Sequence, residues 1–239
     1  MTADGPAGLR IAPECGVTTT AWPCATLLAA TWNPNVVYQV GAAGGKEVKE
    51  NNIAAWLTPA LNIHRSPLCG RNFEYYSEDP LLAGVLAGAM VKGIQSQGVA
   101  ATVKHFALNN KETDRKHSDS RVSERAAREI YLKAFEYVIK GAKPWAVMSS
   151  YNIINGCYAS ENKELLEDIL RDEWGFDGMV TTDWWTLGEH YKEVKAGNDM
   201  KMACGDPKRL KEAMDQGLLT RQDLEHCAER VLNLILKLD

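Results

Sequence analysis

The apolar positions of the chain fall into short unbroken runs separated by amphipathic segments. Residues 53–63 (IAAWLTPALNI), 99–106 (VAATVKHF), 145–151 (WAVMSSY) and 179–185 (MVTTDWW) are apolar and turn-bounded, which predicts strands buried on both faces. Helical spacing fills the gaps between them. Residues 33–50 open with Asn33 as N-cap and Pro34 at the first helical position, and set Val36, Val37, Val40 and Val48 on one face, although Gly41, Gly44 and Gly45 weaken that helix. Residues 79–97 repeat Leu82, Leu86, Met90 and Ile94 at intervals of four, with Gly98 as the stop. A helix over 124–140 places Ile130, Tyr131, Ala134, Phe135 and Val138 on its apolar face and ends at Gly141; another spans 162–173. A short strand, NDMKMA, and a pair of amphipathic helices complete the pattern. The last helix opens with Thr220 and Asp223 in capping-box spacing and buries Leu224, Val231, Leu234 and Leu238.

Buried strands alternating with helices predict βαβ units and a parallel sheet. Two features favour a barrel over an open sheet. No glycine-rich phosphate loop follows any strand, and polar residues crowd successive strand ends: Asn62 and His64, Lys104 and His105, Ser149 to Asn152, Thr182 and Asp183. In a (β/α) barrel those ends converge on one mouth, where the active site is built. Five strands are visible, six if a truncated one ends at Asp4, against the eight of a closed barrel. The predicted fold is therefore a TIM-type (β/α) barrel, incomplete or collapsed.

Composition narrows the functions. The 239 residues carry a net charge of −4 with no block of like charges, which argues against nucleic acid and against an anionic membrane surface as partners. No stretch reaches the roughly 18–20 apolar residues of a membrane span. Cys15, Cys24, Cys69, Cys157, Cys204 and Cys227 are scattered, never as CxxC, and read as reduced thiols rather than as a disulfide framework or a zinc site. The opening MTADGPAGLR lacks a signal-peptide pattern, so a bacterial cytoplasmic location is expected.

The run VTTDWW concentrates the chemistry. A carboxylate at that point, Asp183, is either a turn acid or a group presented to a ligand. Lys104 and His105 end a strand, where alternation sends one side chain into the barrel unless the backbone kinks. Arg71 either clamps a ligand with its fork of donors or pairs with Glu74 or Glu78. Tryptophan beside acids and donors at one mouth suits a sugar: Trp184 or Trp185 can cover the apolar face of a pyranose while Asp4, Arg71, Lys104 and His105 bind its hydroxyls. A lysine at a strand end is also how a Schiff-base aldolase is built.

The segments DGPAGLR, NIHRSPLCGRNFEYYSEDP, QGVAATVKHFALNNKETDR, ERAAREIYLKAFE, WAVMSSYNIINGCYASEN and LRDEWGFDGMVTTDWW, in this order, resemble the barrel domain of glycoside hydrolase family 3, its β-glucosidases in particular. The resemblance covers residues 4–238, so that residues 1–239 would be one barrel domain. It implies that Asp183 is the catalytic nucleophile. It also implies that Asp4, Arg71, Lys104 and His105 bind hydroxyls of the sugar next to the cleaved bond, that Met148 and Tyr151 line the same subsite, and that Trp184 packs on it. Lys104, Arg71 and His105 are then expected to keep Asp183 ionised.

The reaction implied is retaining hydrolysis of non-reducing-end β-glucosides or β-linked oligosaccharides, with no metal or organic cofactor. A retaining glycosidase needs a second, protonated carboxyl about 5–5.5 Å from the nucleophile. In most of the family a separate α/β sandwich domain supplies it, and the chain reads as a fragment without that partner domain. The family's β-N-acetylglucosaminidases use a His-Asp pair on the loop after KHF, where His117 and Asp119 stand here, but ALNNKETD looks like a β-glucosidase; Glu78, Glu112 and Asp114 are other acids nearby. An inactive or sugar-binding barrel fragment is the non-enzymatic alternative.

Overall fold

The computed structural model describes residues 1–203 and 205–238, so Cys204 of the cysteine reading lies outside the described residues. In chain order the elements are β1 (Thr2–Ala3), α1 (Ala25–Ala30), α2 (Pro34–Glu50), β2 (Ala55–Trp56), α3 (Pro80–Gln95), β3 (Ala100–Phe106), β4 (Asp119–Ser120), α4 (Glu124–Ala126), α5 (Lys133–Ala142), β5 (Ala146–Ser149), β6 (Ile153–Ile154), β7 (Cys157–Tyr158), β8 (Met179–Thr182), α6 (His190–Lys195), α7 (Pro207–Asp215) and α8 (Arg221–Leu238). Five strands form a parallel sheet in the order β1-β2-β3-β5-β8, each neighbour being the next of these five along the chain. A doubly wound sheet reverses its strand order at a switch point. This one never reverses; it curls in one direction as a partial (β/α) barrel wall. The predicted NDMKMA strand reduces to a bridge between Met200 and Thr181 beside β8.

The 53–63 run is buried almost throughout, but only Ala55–Trp56 is regular strand, with Ala60 rejoining the sheet opposite Lys104. Helix starts follow their caps: Asn33 accepts from the amides of Asn35 and Val36, and Asp79 from those of Leu81 and Leu82. Thr220 and Asp223 exchange their capping bonds as expected. The α2 glycines prove to be contact points. A Cβ on Gly41 would stand 2.7 Å from the Met90 carbonyl of α3, and one on Gly44 would stand 2.6 Å from the Trp56 ring.

The helix expected over 124–140 is broken in register. Residues Ala127–Tyr131 widen into a π turn between α4 and α5, which shifts the following face by a residue. Leu132 is consequently buried, while Ile130, assigned to the apolar face by straight helical spacing, is 41% exposed. The helix also runs past Gly141 to Ala142, and Lys143 takes the left-handed turn with φ 50°. The helix at Glu164–Glu173 has π hydrogen bonding throughout.

The main core lies between sheet and helices. Phe106 of β3 meets Phe135 and Trp174 edge-on at centroid distances of 5.1 and 5.8 Å. At the opposite end of the strands, Ala55, Ala100, Ala146 and Met179 form a shelf closed by Leu234 of α8 and by half-buried Val231 and Leu238; Leu224 packs in a neighbouring cluster around Val194 and Cys227. A small second sheet, β4-β6-β7, turns at Asn155-Gly156, both with positive φ, a hairpin signal in the sequence.

Candidate active site

The ends of the five parallel strands open into one pocket of about 850 Å³. Asp4 follows β1, Arg71 enters on the loop after β2, Lys104 and His105 lie in β3, Met148 lies in β5 with Tyr151 just beyond, and Asp183 and Trp184 follow β8. All eight residues singled out in the sequence line this pocket, and exposed Trp185 stands at its edge. The sheet register shifts between Val103 and Phe106. That irregularity lets the consecutive residues Lys104 and His105 both reach the pocket, where a regular strand would send them to opposite faces.

Other polar residues at the strand ends hold this first ring in place. Asn62 accepts from the His105 amide and donates to the His105 carbonyl, both at 2.9 Å. His64 Nε2 lies 2.9 and 3.0 Å from the carbonyls of Asn72 and Tyr75, anchoring the turn that carries Arg71. Ser149 donates to Asn198, and Thr182 accepts from the amide of Met202. The segment after Asp183 is tied down by a buried cluster in which Thr186 donates to Glu193, itself paired with Lys201.

Within the pocket the charges are already arranged in contacts. Lys104 Nζ donates to Asp4 Oδ1 at 2.6 Å and lies 4.0 Å from Glu74 Oε2. Arg71 pairs through Nε with Glu74, donates from Nη2 to His105 Nε2 at 2.7 Å, and approaches Glu112 at 3.8 Å. The two readings of Arg71 thus coexist: it is ion-paired with Glu74 and still faces the pocket. Burial works against the Asp4 charge, but Lys104 outweighs it and holds the carboxyl below its usual range. Burial, with Arg71, Lys104 and Arg115 close by, pushes His105 well below the usual histidine range, so its imidazole is neutral.

Asp183 receives the expected help from Arg71 and Lys104, but burial works against its charge. It is buried, and desolvation pushes its carboxyl above the usual range. The Trp184 amide at 2.7 Å, Arg71, Lys104 and the Tyr151 hydroxyl offset only part of that rise. Neutral His105, with Nε2 3.8 Å from Asp183 Oδ2, contributes no charge. Tyr151 is raised by burial and by Asp183, and its ring carries the Arg115 guanidinium at 4.7 Å.

The other candidate acids are placed apart or committed. His117 is exposed and pairs with Asp114 at 2.9 Å, and Asp119 pairs with Arg121; neither His117 nor Asp119 lines the pocket, nor does Glu78. Glu112 does line it, bound to Arg115 at 3.1 Å. Glu74 and Arg115 are pocket residues that the sequence reading left unassigned. Glu74 was legible only as a partner for Arg71, and Arg115 sits in a polar loop whose path no periodicity reveals.

The model for the glycosyl hydrolase family 3 N terminal domain matches residues 11–234. The chain belongs to this family. Over 225 residues the family 3 chain is 67% identical to beta-glucosidase A of Butyrivibrio fibrisolvens, covering 94% of itself and 27% of that protein. It is 44% identical to an exo-alpha-(1->6)-L-arabinopyranosidase of Bifidobacterium longum, covering 99% of itself and 33% of the relative. The structure of beta-glucosidase 3B from Thermotoga neapolitana in complex with glucose superposes with a TM-score of 0.95 at 48% identity, over 99% of this chain and 35% of that one. The family 3 chain therefore spans about a third or less of these relatives. No helix among the described residues is long and apolar enough to cross a membrane.

Proposed function

We propose that this chain is the nucleophile-bearing barrel domain of a β-glucosidase-type glycoside hydrolase that cleaves non-reducing-end β-glucosides with retention. The observation that carries the reading is the convergence of Asp4, Arg71, Lys104, His105, Met148, Tyr151, Asp183 and Trp184, drawn from five strand ends, on one pocket. Asp183 attacks the anomeric carbon and forms a glycosyl-enzyme intermediate that water then hydrolyses. The Trp184 amide and the Tyr151 hydroxyl fix the carboxylate, while Asp4, Arg71, Lys104 and His105 bind the sugar hydroxyls and Trp184 packs against the ring.

The reaction also needs a proton donor for the leaving oxygen. Asp4 is held ionised by Lys104, and Glu74 and Glu112 are engaged by Arg71 and Arg115. The acid/base is accordingly assigned to a second domain of α/β sandwich type, in keeping with the share of its relatives that the chain spans. Residues 1–239 are then one barrel domain of a larger enzyme. Glucose is preferred as the glycon on the 67% identity to a protein named as a beta-glucosidase, since the L-arabinopyranosidase is more distant.

The test is to incubate the chain with an activated aryl β-glucoside, whose leaving group needs little acid assistance, and to follow release and intact mass. A stoichiometric burst with a glycosyl adduct, absent in Asp183→Asn, is expected. No burst and no adduct from the wild-type chain would sink the reading.

A further inference from the structure

Glu74 has no part in the reaction above, yet its side chain is only 4% exposed. A carboxylate so buried is tolerable only with partners that compensate its charge. It has two: Arg71, which donates from Nε, and Lys104, at 4.0 Å. With Nε committed to Glu74, the Arg71 fork directs Nη2 onto His105 Nε2 at 2.7 Å. A guanidinium can only donate, so Nε2 must present its lone pair and the imidazole proton must sit on Nδ1. That proton faces Tyr75 Oη at 3.5 Å, and the tyrosine hydroxyl donates onward to the Asn109 carbonyl at 3.3 Å.

The alternative pairing is close at hand. His105 Nε2 lies 3.8 Å from Asp183 Oδ2, and Arg71 is among the cations that act on the same carboxylate. Without Glu74, the carboxylates within reach of Arg71 are Glu112, at 3.8 Å but already bound to Arg115 at 3.1 Å, and Asp183. A His105 freed from Arg71 could move its proton to Nε2 and donate it there as well. We propose that Glu74 is a positioning residue: by holding the Arg71 fork against His105 it fixes the imidazole in the Nδ1–H form and keeps both residues from pairing off with Asp183. The nucleophile then retains an oxygen free to attack, and the remaining N–H groups of Arg71 stay directed at the sugar. That consequence for the sugar rests on the glycosidase reading, whereas the tautomer does not.

The readout is accordingly taken on the imidazole. The chain carrying ¹⁵N-labelled histidine is recorded by long-range ¹H–¹⁵N correlation from about pH 6 to about pH 8, with the His105 signals assigned by their loss in His105→Gln. Wild type and Glu74→Asp should show His105 as the Nδ1–H tautomer throughout, and Glu74→Gln should lose it. D-glucose titrated calorimetrically should bind about tenfold or more weakly to Glu74→Gln, the scale of one charged hydrogen bond, with much of the affinity regained in Glu74→Asp. An Nε2–H tautomer in the wild type, or an unchanged Nδ1–H tautomer in Glu74→Gln, overturns the inference. Should Glu74→Gln not fold, Arg71→Lys keeps the charge but removes the fork, and His105 must then leave the Nδ1–H form. If the tautomers behave as stated but no variant, wild type included, binds glucose, the positioning role stands and the sugar reading fails.

Discussion

Two glycines of α3, five residues apart, should respond in opposite directions to the same substitution. At Gly93 a Cβ would lie 2.3 Å from the Tyr38 carbonyl oxygen and 2.8 Å from the Ala42 amide nitrogen of α2. Ordinary contact begins near 3.4 Å, so Gly93→Ala must part the two helix backbones by about 1 Å. Overpacking of this kind costs about 1–3 kcal/mol, and the upper end applies because the obstacle is backbone on both counts. The better helix propensity of alanine returns about 1 kcal/mol. The net loss is about 2 kcal/mol. At Gly88 a Cβ would meet only the Ala142 Cβ at 3.7 Å, an ordinary contact. Gly88→Ala should therefore keep the propensity gain of about 1 kcal/mol. At roughly 2–4 °C per kcal/mol for a chain of this size, thermal unfolding followed by circular dichroism should show Gly93→Ala lower by about 4–8 °C and Gly88→Ala higher by about 2–4 °C. Equal melting temperatures for the two variants would refute the close-approach argument.

Two further predictions concern Asp183. Because burial raises its carboxyl above the unfolded value, the charged form opposes folding, and the penalty applies as pH rises through the folded-state pKa. Asp183→Asn should melt higher than wild type at neutral pH, with the advantage shrinking in acid where the wild-type carboxyl is itself protonated, and, on the proposed role of Asp183, kcat of the enzyme carrying both domains should fall by more than about a thousandfold; a variant that melts lower at neutral pH contradicts the electrostatic account. Tyr151→Phe removes a hydroxyl that stabilises the charged form of Asp183, so the acid limb of kcat/KM, measured in the enzyme carrying both domains, should move to higher pH, with activity near neutrality down roughly ten- to hundredfold. An acid limb that stays in place counts against the assignment of Asp183 as the group titrating there.

The parts of the fold that follow from period and capping are legible in the sequence. Asn33, Asp79 and the Thr220–Asp223 pair start helices for reasons local to a few residues. Strands β3, β5 and β8 read equally well because both of their faces are buried. What escapes is set by tertiary contact. Gly41 and Gly44 look like helix breakers until α3 and Trp56 are seen to press on them. Ile130 looks like core until the π turn rotates it outward. At the pocket, residues tied to strand ends could be located from the sequence. Glu74 and Arg115 could not be given a place, because they reach the pocket from loops whose course depends on the assembled sheet.

Asp4 sits differently from the other pocket residues. It follows a strand of two residues at the edge of the sheet, held by the pairing of Thr2 and Ala3 with Ala55 and Trp56 and by the bond of the Leu57 amide to Ala3. Lys104, His105 and Asp183, by contrast, are buried on inner or well-covered strands. What ties Asp4 into the pocket is a charge: Lys104, buried on β3, donates to it at 2.6 Å, so carboxylate and ammonium fix each other and together form one wall. A substitution that neutralises Asp4 would strand the buried ammonium with Glu74, at 4.0 Å, as its nearest remaining acid. The wall is therefore held by mutual neutralisation, and either partner lost alone would cost the fold as well as the pocket.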